Sequence, residues 1–531
     1  MKLPLKYPEE NIKPYIYITR TPFSQAAFSG LIAGLITHLF ALVNVLHNQD
    51  DIAQLPGGYG TGITSGRWLL SLLGDLAKVL DMDVNLPLVN GMLFLILVAV
   101  SAGLAAEALR IRHKSFNIAI GALFAVFPTA SSTLAFRYTA VYYALGLLMA
   151  VAAAWYLDKK PLGFVVSALM IACSLGIYQA YVPMTISIYV LQLMGQSMQS
   201  DAKLKDLIRH GFRCCGNLIT GLGFYWLFLQ LCLKLYGTQL SDYQGINQMG
   251  SISLGQLPQL IKEAVYTFCF MPIRSYCNLA DLPLIKLSYC LLAVATVILI
   301  LWFFVAGKKW INGLFTLAMA ALMPLAINFI VVMCPESYIY TLMVYSFVLV
   351  PCIPLVLWER LEEQQLLNAS IKRWSKCIIG WVLAILIGCY GYQTNVGYTT
   401  LFFTNRQVEN YLSTMIVQIR MTEGFQADQE WVFLGEFNDP LLGTHWRYEI
   451  NVGGADDTSW MLNRYSWHEW IHHYYGYRIP LASKETAIQV ATLPQVESMP
   501  TWPNYGSIQV IDNRVVIKLQ PIHEIDWDNL E

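Results

Sequence analysis

Two adjacent carboxylates, Asp50 and Asp51, are the first residues in this chain whose type and spacing suggest chemistry. They come just after an apolar run and just before the loop "LPGGYGTGITSGRW", Leu55 to Trp68. A carboxylate at a bilayer edge can take a proton from a hydroxyl group. A guanidinium can steady a phosphate leaving group through paired hydrogen bonds. The loop supplies such a group in Arg67, and its glycines permit tight backbone close to a ligand. It is not a phosphate-binding P-loop, because the GK[ST] ending is missing. The plainer alternative is that the two acids end a helix and solvate a loop. Arg137 in "AFRYTAVYY" and Arg274 in "MPIRSYCN" are further cations of this kind, each with interface snorkelling as its alternative.

A second signal lies far downstream. "YSWHEWIHHYYG" contains His468, Glu469 and His472 in HExxH spacing. On a helix the two histidines would share a face and could hold zinc, with Glu469 as base and Glu485 or Glu497 as third ligand. Trp467, Trp470, Tyr474 and Tyr475 favour an aromatic helix packed on a domain or a membrane instead.

The elements that must position these residues are membrane spans. Of 531 residues 56% are hydrophobic and 13% charged, and mean hydropathy is +0.47. A soluble domain carries about a quarter charged residues. Net charge is −1, which gives no sign of a nucleic-acid partner. The eleven cysteines sit mostly in apolar runs and outline no disulfide framework; Cys269 and Cys277 could pair only in an outer loop. The N-terminus has no cleavable signal pattern.

Runs of about 20 apolar residues start at Phe23, Val84, Phe116, Tyr138, Leu162, Asn217, Leu284, Ile311, Ile339 and Cys377. The run from Leu162 to Gln192 is long enough for two shorter spans, split near "GIYQAYVP", which makes about eleven. With that count the basic residues (Lys2 to Arg20, Arg110 to Lys114, Lys159 and Lys160, Lys203 to Arg213, Lys308 and Lys309, Arg360 to Lys376) all fall on one side, the cytoplasmic one. Asp50, Asp51 and the polar tail then lie outside. The tail reads as a helical stretch from Asn405 to Met421, strands in "EWVFLGEF" and "SIQVIDNRVVIKL", and turns, hence a small α/β or α+β domain. The expected organisation is an interfacial segment 1–22, a membrane domain 23–393 and an extracytoplasmic domain 394–531.

Span interiors hold few ionisable residues, chiefly His38 and Glu107. A lipid-linked glycan transporter or flippase would place more at mid-membrane. Ionisable groups at the outer edge favour surface chemistry.

The span ending in an acidic pair, the glycine-containing loop, "GRW", and "SLGIYQAY" (Ser174 to Tyr181) together resemble the type II serotype-converting (O-antigen) glucosyltransferases of bacteria. These are polytopic glycosyltransferases of the GT-C class. The resemblance covers about the first two hundred residues and extends to the plan of many spans followed by an outer tail. It implies a GT-C-like α-helical fold and transfer of a hexose, glucose, from a polyprenyl-phosphate donor. The acceptor would be a glycan (O-antigen, capsule or wall polymer) on the outer face of the bacterial inner membrane. A separate lipid-sugar synthase and a flippase would supply the donor. By this analogy Asp50 or Asp51 is the catalytic acid residue, with Asp50 preferred as base and no cofactor or metal required. A single displacement would invert the sugar carbon. Donor phosphate would fall to Arg67, with Arg137 and Arg274 as helpers. Tyr178, Tyr181 and Tyr243 could stack on sugar, or stand in the interface belt.

Overall fold

The computed structural model describes residues 21–241, 255–307, 309–335, 338–437, 439, 452, 461–463 and 465–527. The chain divides into two compact units. One comprises the residues up to Asn44 together with Gly58–Asn395; the other comprises Val45–Gly57 together with the residues from Val396 onward. The short segment carrying Asp50 and Asp51 thus belongs with the C-terminal residues.

The first unit is helical. Among the described residues, eight helices of the chain are long and apolar enough to cross a membrane: Pro22–Val43, Pro87–Ala108, Lys114–Leu134, Arg137–Tyr156, Leu204–Tyr236, Pro283–Gly307, Trp310–Ile327 and Ala369–Met421. The long run after Leu162 is split as expected, into Gly163–Ile177 and Val182–Ser197. The run from Ile339 takes another form. It is a 3₁₀ stretch, Tyr345–Cys352, leading into the α-helix Ile353–Glu363. Pro351 and Pro354 lack the N–H groups that a continuous α-helical ladder would use there.

The first helix starts on a capping box. The Thr21 side chain accepts from the Ser24 N–H at 3.1 Å, the Ser24 side chain accepts from the Thr21 N–H, and Pro22 holds the first helical position. Its Gly30 and Gly34 face the helices Pro87–Ala108 and Lys114–Val126. A Cβ at Gly30 would stand 2.9 Å from the Gly121 carbonyl oxygen, so only glycine lets these backbones pack so closely.

In the second unit three strands form a sheet in the order β1 (Glu430–Leu434), β3 (Arg514–Lys518), β2 (Ile508–Ile511). β1 runs parallel to β3, with Val432 opposite Val516, and β2 is antiparallel to β3. Asp512 and Asn513 turn the hairpin with φ of 48° and 60°, a left-handed pair suited to a tight two-residue turn. Val432, Leu434, Val490, Val496 and Val516 form its core. The last part of the Ala369–Met421 helix belongs to this unit and buries Val408, Leu412, Met415, Ile416 and Ile419 at helical spacing.

Candidate functional site

Asn48 opens the helix Gln49–Ala53 by accepting the Asp51 N–H at 2.7 Å. Both acids therefore occupy a first helical turn, where free N–H groups favour negative charge. The residue before is clamped from both sides. The His47 N–H donates to Asn405 Oδ1, and Asn405 Nδ2 donates to the His47 carbonyl, each at 2.8 Å. The His47 ring meets Asp51 through Nδ1 and Oδ2 at 2.6 Å, and edges Trp470 and Tyr474 at centroid distances of 5.9 and 6.0 Å.

The two carboxylates consequently differ. Asp51 is 0% exposed and bound to a buried imidazole. Asp50 is half-buried, and its Oδ1 accepts the Tyr465 hydroxyl at 2.7 Å. Burial pushes the Asp50 carboxyl above the usual carboxylate range; the Tyr465 donor opposes this and the Asp51 charge adds to it. A half-buried carboxylate with a raised pKa is suited to accepting a proton.

In the first unit Arg67 stands at the N-cap position of the helix Trp68–Val79. Its Nη1 donates to Thr61 Oγ1 and to the Tyr143 hydroxyl, both at 3.0 Å. The guanidinium lies 5.1 Å from the Tyr178 ring centroid. Tyr178 stacks on Tyr143 at 4.3 Å and meets the Tyr181 ring edge-on at 5.3 Å. Arg67 Nε is buried and pairs with no atom among the described residues. The cation is oriented by aromatics and keeps donor capacity for an anion.

Gly66 makes this placement possible. It has φ of +74°, and a Cβ there would lie 2.7 Å from the Tyr225 hydroxyl and 2.9 Å from Gln179 Nε2. Tyr225 donates to the Gly66 carbonyl and Gln179 to the Ser65 carbonyl, which pins the loop.

The other expected residues are dispersed. Arg137 is buried at the start of the helix that carries Tyr143. Arg274 is exposed at the end of Leu257–Arg274 and covers Tyr266 and Phe270 of its own helix. Tyr178 and Tyr181 are 4% and 1% exposed, so they back Arg67 rather than offer open faces. Tyr243 lies outside the described residues. Nothing in the sequence singles out Asn405, Tyr143 or Tyr465 for the site, and His47 is marked only by its neighbours. Only "HNQDD" held a local signal, with Asn48 at capping spacing and His47 four residues before Asp51.

The HEWIH segment is helical, Trp467–Tyr475. Glu469 is ringed by His468, His472 and His473 at 3.3 to 3.6 Å. Among the described residues two groups have atoms close enough to hold a metal, Glu469–His472–His473 and His113–Glu359–Glu362. Neither includes His468, Glu485 or Glu497. A polar cavity of about 310 Å³, lined by Glu107, Arg110, Asp158, Lys159, Gln192 and Arg360, lies at the far end of the Tyr143 helix from Arg67.

Long apolar helices in this number define a polytopic membrane protein. The family model Glucosyl transferase GtrII matches residues 39–351, well over half of the sequence, and the chain belongs to that family. It is accordingly a glycosyltransferase, using a sugar donor and an acceptor. The matched segment includes Asp50, Asp51 and Arg67 and ends before HEWIH. No curated protein and no solved structure matches the chain.

Proposed function

We propose that this enzyme transfers glucose from a polyprenyl-phosphate carrier to an acceptor glycan on the extracytoplasmic face of the bacterial inner membrane, with Asp50 as general base. Asp50 takes the proton of an acceptor hydroxyl, and that oxygen attacks the anomeric carbon. The bond from that carbon to the phosphate oxygen breaks, the sugar carbon inverts, and polyprenyl phosphate departs with both electrons of that bond. Arg67 receives the phosphate charge. Asp51 holds His47 and with it the helix that presents Asp50.

The observation that carries this reading is the division of labour within the pair: Asp51 is buried on His47, while Asp50 is half-buried under one hydroxyl donor. Basic residues gathered on alternate loops between the apolar runs support the orientation. Eleven membrane crossings follow if Gly163–Ile177, Val182–Ser197 and the 3₁₀–α run Tyr345–Glu363 each cross. At about 2.0 Å per 3₁₀ residue and 1.5 Å per α residue, the last run reaches about 30 Å.

The test uses purified protein in lipid with radiolabelled polyprenyl-phosphate glucose and crude envelope glycan. Asp50→Asn should abolish transfer while donor binding persists, and Asp51→Asn should leave measurable turnover. Donor binding without turnover in the wild type would overturn the transferase reading for this acceptor class. Absence of donor binding would overturn the carrier.

A further inference from the structure

The second unit contains a cavity of about 150 Å³ that none of the roles above uses. Its walls are aromatic: Trp431 and Phe433 from β1, Phe437 just beyond it, Trp467 at the start of the HEWIH helix, and Trp527. Trp467 is fixed in place by Phe433 at 4.1 Å and Phe437 at 5.9 Å between ring centroids. The mouth is polar. Glu436 is exposed, His468 is one-third exposed, and Lys484 stands at the rim. A packing void would be closed and lined only by apolar groups; this one opens to solvent beside one acid, one base and an imidazole.

That chemistry selects its ligand. A pyranose ring has an apolar C–H face, which an indole covers, and an equator of hydroxyls that both donate and accept. One carboxylate balanced by one ammonium gives no net preference for an anion or a cation, so a neutral ring suits the mouth better than a phosphate. The volume suits a single sugar ring and not a chain. The cavity is also tied to the reacting acid. Tyr465, whose hydroxyl holds Asp50, precedes the cavity wall at Trp467 by two residues.

We infer that this cavity is an acceptor subsite, binding one neutral hexopyranose unit of the glycan with its C–H face on the half-buried Trp527, which the buried Trp431 and Trp467 back, and its hydroxyls on Glu436 and His468. The inference rests on the glycosyl-transfer reading of the same unit.

Full-length protein in phospholipid nanodiscs is titrated with methyl glycosides of glucose, galactose, rhamnose and N-acetylglucosamine, read by saturation-transfer NMR and tryptophan fluorescence. At least one sugar binds the wild type. Trp527→Ala and Glu436→Gln each weaken it by about tenfold, the weight of one good ring contact or hydrogen bond, and raise the acceptor KM in transfer assays. Glu436→Gln, at an exposed position, guards against loss of folding. Asp50→Asn retains sugar binding. If no methyl glycoside binds, or if both variants bind as the wild type does, the subsite is overturned. Sugar bound through this cavity by a protein that never transfers glucose would instead sink the catalytic reading and leave the subsite standing.

Discussion

Removing one hydroxyl, in Tyr465→Phe, tests the assignment of Asp50 more sharply than removing the acid itself. The Tyr465 hydroxyl donates to Asp50 at 2.7 Å and stabilises the ionised carboxylate. A hydrogen bond to a charged group contributes about 1.5–3 kcal/mol, and one pKa unit corresponds to about 1.4 kcal/mol. Tyr465 is 42% exposed, so water replaces part of what is lost. The low end of the range therefore applies, or a shift of about one unit. The direction follows from the charge state. Loss of the donor disfavours the ionised form, so the Asp50 pKa, already raised by burial, rises further. A general base works ionised, so the acidic limb of kcat/KM moves to higher pH by that amount, while the rate well above it returns close to wild type. The assay is transfer from radiolabelled donor across pH 4 to 9 in nanodiscs. A limb that stays in place or moves down would falsify Asp50 as the titrating base. A fall of equal size at every pH would mean that Tyr465 acts on substrate instead.

Asp50→Asn should melt no lower than wild type at neutral pH, measured by tryptophan fluorescence. Its folded pKa lies above the unfolded one, so its ionisation costs stability as pH rises through that window, and the amide escapes the cost. Asp51→Ala should do the opposite, losing about 2 kcal/mol because His47 is left buried without its carboxylate partner; a melting temperature equal to wild type would refute that role. Arg67→Lys should raise the donor KM about tenfold, since an ammonium keeps the charge but loses the fork and the stacking on Tyr178. Unchanged donor affinity would remove Arg67 from the phosphate site. Gly66→Ala, strained at positive φ and crowded by Tyr225 and Gln179, should reduce activity more than Gly223→Ala, whose added Cβ meets nothing within 4 Å. Equal activities would show that the loop geometry is not needed.

Hydropathy places most of the long helices to within a few residues, because about 20 consecutive apolar residues carry a strong signal. It starts Leu204–Tyr236 only at Asn217, since the first turns of that helix are polar and basic. Nor does it report the backbone form that a run takes. The run from Ile339 has the composition of a span, yet its prolines and 3₁₀ geometry depend on backbone hydrogen bonds that hydropathy does not report. The helix Ala369–Met421 reads in the sequence as two pieces, an apolar run from Cys377 and a helical stretch from Asn405 to Met421. The polar residues between them, such as Asn395 and Thr400, end an apolar run without ending a helix. Both strand segments were legible from alternation and β-branched content. At the site, the candidate residues are legible from "QDD" and "GRW", but the different surroundings of the two acids are not. That distinction comes from Tyr465 and from His47 clamped by Asn405, partners hundreds of residues away in sequence.

The clamp on His47 also sets an order of events during synthesis. Asn405 follows His47 by 358 residues, and Tyr465 follows Asp50 by 415. A ribosome exposes the acid pair first and supplies its partners only several hundred residues later. Every nascent chain cut short before Asn405 therefore carries the acid without its clamp or its hydroxyl donor. If Asp50 is the base proposed above, a chain stalled or truncated before Asn405 is expected to be inactive in transfer, however completely its earlier helices have inserted.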